Sequence, residues 1–153
     1  MKRFLLILAL GAAVYFGLIL QSGTAERHAI ADAPEVSRLV PEQGDAVIER
    51  AFASRTSDLQ VAGQGTVVKL LKDDNHGSRH QRFIVRLKSG RTLLVSHNID
   101  LAPRIDTLRT GDTIAFYGEY VWNSKGGVIH WTHHDPQGRH PAGWIRHGEQ
   151  TYQ

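Results

Sequence analysis

The spacing of apolar residues along this chain changes twice. Residues 4–20 carry no charge and are mostly apolar. Residues 41–56 place Val47, Ile48, Ala51 and Phe52 at three-to-four spacing, the signature of one helix face. Pro41 and Glu42 suit a helix start, and Arg55, Thr56 and Ser57 close it. Between these two segments, residues 26–40 show no period and contain Pro34, so they read as a linker. From residue 59 the period falls to two, the spacing of strands with one buried face.

Five strands are predicted in that last part. Residues 64–71 are rich in β-branched and apolar side chains, and 72–79 form a polar loop. In 80–88, Phe83, Val85 and Leu87 point one way, and Arg82, Ile84, Arg86 and Lys88 the other. Ser89 and Gly90 read as a two-residue hairpin turn into a third strand, 91–97. A helical stretch is expected over 101–108, a turn at Gly111 and Asp112, and a fourth strand over 113–122. Residues 123–127 form another hairpin loop, and 128–134 the fifth strand. Three strands, a helix and two strands is the element order of a five-stranded OB-like barrel. The fold class is therefore mainly β, with an N-terminal helix before the barrel and a Pro/Gly-punctuated tail over 135–153.

The first 25 residues have a different character. Lys2 and Arg3 precede 17 uncharged residues, and Gly23, Thr24 and Ala25 follow before the first acid. A basic start, an apolar core and small residues describe an export signal, and the apolar run is also long enough to act as an anchor. Either way the remainder is expected in the periplasm, free or held at the inner membrane. The chain has no cysteine, which excludes thiol nucleophiles, thiolate metal sites and disulfides. Residues 59–153 hold twelve Lys and Arg against eight Asp and Glu, a mild bias toward an anionic partner.

Histidine carries the candidate chemistry. Four of the nine, His130, His133, His134 and His140, lie close together with Asp135 and Trp131. Imidazole and carboxylate side chains can hold a divalent metal such as zinc, and His80, His97, His130, His134, Asp135 and His140 are the candidate ligands. A two-residue turn would pair Arg82 with His97 and Arg86 with Leu93, and would put His80, Arg82, Arg86, Lys88, Arg91 and His97 on one outward face. Arg82, Arg86, Lys88 and Arg91, with Lys125 from the 123–127 loop, are the candidate contacts to an anion. Trp122, Trp131 and Trp144 could stack on bases or sugars, although most such residues fill a core or a seam. No phosphate loop of the G-x-x-x-x-G-K type and no H-E-x-x-H metal spacing occurs.

The motifs HQRF, HNIDLAPR, GEYVW and GGVIHWTHHDP appear in that order. On them, residues 59–153 resemble the bacterial family of unknown function DUF3465. The resemblance implies a small exported or membrane-anchored protein with an OB-like domain, and it transfers no catalytic residue. Three functions are consistent with the residues. One is a binding module for an anionic ligand, nucleic acid included, or for a metal. Another is a metal-dependent phosphodiesterase or nuclease. The third is a structural envelope protein that docks on a protein partner through the 42–55 helix.

Overall fold

The computed structural model describes residues 41–153. The predicted leader, 1–25, and linker, 26–40, lie outside the described residues. Among the described residues, no helix is long and apolar enough to cross a membrane. The described residues begin with helix α1 (Pro41–Ser54). Its end is a Schellman closure: Arg55 adopts φ 56°, Arg55 N–H donates to Phe52 O, and Thr56 N–H donates to Ala51 O at 2.8 Å.

Seven strands follow: β1 (Leu59–Leu70), β2 (His80–Leu87), β3 (Thr92–Asn98), β4 (Thr113–Val121), β5 (Val128–His130), β6 (Trp144–His147) and β7 (Gln150–Tyr152). Their order in the sheet is β1-β2-β3-β5-β4-β6-β7. A further pairing between β1 and β4 closes the first five strands into a barrel. β3 and β5 run parallel; the other pairs are antiparallel. The five-stranded OB-like barrel is therefore present, preceded by one short helix. β1 serves two neighbours, pairing with β4 through its first half and with β2 through its second, past an irregularity between Val67 and Lys69. β4 divides its other edge, giving residues 119–121 to β5 and 114–117 to β6.

The core lies inside the barrel, lined by Val67, Phe83, Val85, Leu93, Val95, Phe116, Tyr120 and Ile129. α1 covers one end with Ile48 and Ala51, and the 99–112 loop enters the core with Ile105 and Leu108. Two glycines make the close packing possible. A side chain at Gly63 would sit 2.4 Å from the Phe116 ring, and one at Gly127 2.2 Å from the Tyr120 ring.

Four expectations are corrected. The 101–108 stretch is a series of turns, not a helix. Pro103 supplies no amide proton, and the buried Gln81 amide takes both backbone groups of Ile105, at 2.9 and 3.0 Å, away from any helical ladder. The β2–β3 loop has three residues, Lys88 to Gly90: Gly90 N–H donates to Leu87 O, Leu87 N–H donates to Arg91 O, and Gly90 takes φ 90°. That moves the register by one, so Arg86 faces Thr92, Arg82 faces Ser96 and Gln81 faces His97. β5 ends at His130 rather than His134, because Trp131 turns into the left-handed region at φ 51°. The Pro/Gly-punctuated tail is not without regular structure; its β6–β7 hairpin extends the sheet beyond β4.

Candidate functional site

A register shift of one residue sends each side chain of β3 to the other face. Leu93, Val95 and His97 therefore point inward, and Leu94 and Ser96 outward. His97 is fully buried. Its Nε2 lies 3.1 Å from Pro103 O, which can only accept, so Nε2 carries the proton. Nδ1 then accepts from the Thr132 hydroxyl at 2.8 Å. Burial, with His133 and His80 nearby, pushes the His97 pKa down to about 4. His97 is thus a neutral structural group inside the barrel, not part of an outer face.

The segment after β5 is a built corner. The Asp135 carboxylate accepts the backbone N–H groups of Gln137, Arg139 and His140 at 2.6 to 2.9 Å. Those bonds, that from Gln137 foremost, hold its pKa below the usual carboxylate range. His133 is buried and its Nδ1 donates to His134 O at 2.8 Å. Gly143 N–H donates to His133 O, and a side chain at Gly143 would collide with Trp131 O.

On the outside of the same wall, Glu119 of β4 pairs across the strands with His130 of β5. Its Oε1 is 3.0 Å from His130 Nε2, and its Oε2 is 3.9 Å from His140 Nδ1. The His140 ring stacks on Trp131, with centroids 3.6 Å apart and planes at 19°. One step along β4, Tyr117 pairs with Trp144 of β6, with ring centroids 6.2 Å apart. Glu119 stood outside both predicted site sets; its pairing with His130 is a cross-strand contact that local spacing does not reveal.

The predicted metal ligands are spread over separate tasks. His97 is internal, Asp135 caps backbone amides, His134 is exposed, and His80 Nδ1 donates to Ser78 O at 2.7 Å. Only His130 and His140 meet, at Glu119. Among the described residues, no group of three or more His, Asp or Glu is arranged to hold a metal ion.

The predicted anion contacts also separate. Arg82 donates through Nε and a terminal nitrogen to Lys72 O and lies 3.5 Å from Asp74. Arg91 clasps Glu49 of α1 through two nitrogens, and its guanidinium lies 3.7 Å from the Phe52 ring centre. It fastens the helix to the barrel. Lys125 is exposed at the β4–β5 loop, on a turn where Asn123 Oδ1 accepts its N–H. Arg86 and Lys88 line a groove of about 590 Å³ with Gln64, Thr66, Val68, Thr113 and Asp45. Trp122 is a seam residue: its indole N–H donates to Phe52 O, beside Phe52 and Arg55.

A second carboxylate–imidazole arrangement escaped the sequence reading. Asp112 Oδ2 accepts Arg109 N–H and lies 2.8 Å from His147 Nε2, while His147 Nδ1 is 3.5 Å from the Thr107 hydroxyl. It ties β6 to the 99–112 loop, across a sequence separation that no local motif spans.

A family model described as a protein of unknown function (DUF3465) matches residues 29–153. No curated protein matches the chain.

Proposed function

This chain belongs to the DUF3465 family, a membership that brings no assigned activity, and we propose that its OB-like barrel is a binding module for an anionic ligand seated in the β1–β2 groove. One observation carries the reading. The Arg86 side chain is exposed in a recess of about 590 Å³ and its guanidinium has no hydrogen bond or ion pair among the described residues, whereas those of Arg79, Arg82, Arg91 and Arg104 each have a carboxylate partner. An unpaired guanidinium in a recess offers a fork of donors matched to phosphate or carboxylate oxygens. Gln64, Thr66 and Thr113 add neutral polar groups around it, and Asp45 is the groove's one carboxylate. The charge-free run before residue 21 supports a periplasm-facing module, exported or anchored.

Metal-dependent phosphodiester cleavage gains no support, because the candidate ligands lie apart and, among the described residues, no three of them gather to hold a metal ion. Docking through the helix gains none either, since Ile48 and Ala51 already pack on the barrel. The test is a calorimetric titration of the full chain with pyrophosphate, citrate and a short oligothymidine. At least one should bind saturably, and Arg86→Ala should weaken it about tenfold or more and flatten its salt dependence. No binding by any of the three, or binding indifferent to Arg86→Ala, refutes the proposal.

A further inference from the structure

We propose a second site, independent of the anion groove: the outer face of β4, with β5 and β6 beside it, binds a neutral hexopyranose chain. Six residues make the surface. Tyr117 and Glu119 point outward from β4; Trp144 stands opposite Tyr117, and His130 opposite Glu119. His140 and Trp131 complete it, stacked on each other.

Three independent features set this surface apart from ordinary packing. Its aromatic rings are half-buried, whereas Phe116 and Tyr120 on the same strand are fully enclosed. Its polar groups keep access to solvent, with 19% of the Glu119 side chain, 33% of His130 and 31% of His140 exposed. Trp131 holds a backbone conformation that non-glycine residues seldom adopt, and Gly143 packs against its carbonyl oxygen too closely for a side chain.

The donor and acceptor inventory selects the ligand class. Glu119 only accepts. Arg146, with its guanidinium 5.2 Å from the Trp144 ring centre, only donates. The two imidazoles can do either. A phosphate would suit Arg146 and be repelled by Glu119; an amine would suit Glu119 and be repelled by Arg146. Hydroxyl groups donate and accept, so a polyhydroxylated ring satisfies both. The Tyr117–Trp144 pair, its ring planes 31° apart, gives the apolar face of such a ring an aromatic surface to rest on.

The experiment is a tryptophan-fluorescence titration of the full chain with three hexasaccharides: β-1,4-glucose, α-1,4-glucose and β-1,4-N-acetylglucosamine. At least one should bind saturably. Trp144→Ala and Glu119→Gln should each weaken it tenfold or more, and Arg86→Ala should leave it unchanged, which separates this site from the anion groove. If Trp144→Ala does not fold, Glu119→Gln, which keeps the side chain's shape, decides alone. Failure of all three sugars to bind, or binding untouched by Glu119→Gln, overturns the proposal. So does an oligothymidine that binds here and binds more tightly to Glu119→Gln, since that assigns the surface to a polyanion.

Discussion

Two neighbouring strands of this barrel each present an imidazole, one to the interior and one to the outside. His97 on β3 is dry, and both its nitrogens are taken by fixed partners. His130 on β5 is a third exposed and meets one carboxylate. The difference teaches how to sort a histidine-rich chain. A ring with two internal partners is scaffold, and a ring with one partner and access to water is available to a ligand. The two are also linked. Thr132, which donates to His97, directly follows the strained Trp131. The interior histidine therefore anchors the backbone from which the exterior corner is built.

The harshest way to break the contrast is His97→Ala. It leaves a void in a closed barrel and strips partners from Pro103 O and the Thr132 hydroxyl, both of which lose access to His97 alone. The expected cost is about 3–5 kcal/mol by urea denaturation, combining cavity and unmet hydrogen-bond costs. A cost near that of a surface substitution would show that His97 does not hold the wall together.

Acid probes the same residue without mutation. The folded pKa of His97, about 4, lies below the ordinary value of 6.5. Between those values the unfolded chain takes up a proton that the folded chain refuses. Stability from this residue is complete above pH 6.5 and declines as pH falls toward 4. The loss reaches about 3 kcal/mol, at 1.36 kcal/mol per pH unit. Asp135, Asp112, Asp74, Asp100 and Glu49, whose pKa values hydrogen bonds hold low, add their losses only in and below the usual carboxylate range. Thermal melts at pH 7, 6, 5 and 4 should therefore fall steadily, and a profile flat down to pH 4.5 would mean that the His97 ring is hydrated.

How much of this was legible follows from where local pattern suffices. Phe83, Val85 and Leu87 alternate with an outward set that is charged except for Ile84, so β2 and its inward face could be read directly. β3 could not. It carries Leu93, Leu94 and Val95 in succession, and so fits either register. The turn alone decided it, and one extra loop residue carried His97 from the predicted outer face to the core. The end of β5 was hidden for a different reason. Trp131 adopts a positive φ without being glycine, so no residue signals the bend. β6 and β7, of four and three residues, are too short to show a period. At the corner, His130 and His140 were visible as chemistry, but Glu119, which joins them, comes from another strand. Composition suggested an anion face, and two of its members proved to be spent: Arg91 on the helix, Arg82 on a carbonyl.

The smallest expected effect sharpens the comparison most. Glu119→Gln changes a carboxylate that touches two partly exposed imidazoles, one at 3.0 Å and one at 3.9 Å. Ion pairs in such positions contribute little, because water screens them and side-chain entropy opposes them. The amide is isosteric and can still hydrogen-bond to His130 Nε2. The expected change in unfolding free energy is about 0.5 kcal/mol, several times smaller than for His97→Ala. Urea denaturation of both variants under one set of conditions gives the ratio. If Glu119→Gln cost as much as the interior substitution, the outer corner would be scaffold too, and exposure would have failed as the criterion that separates the two histidines.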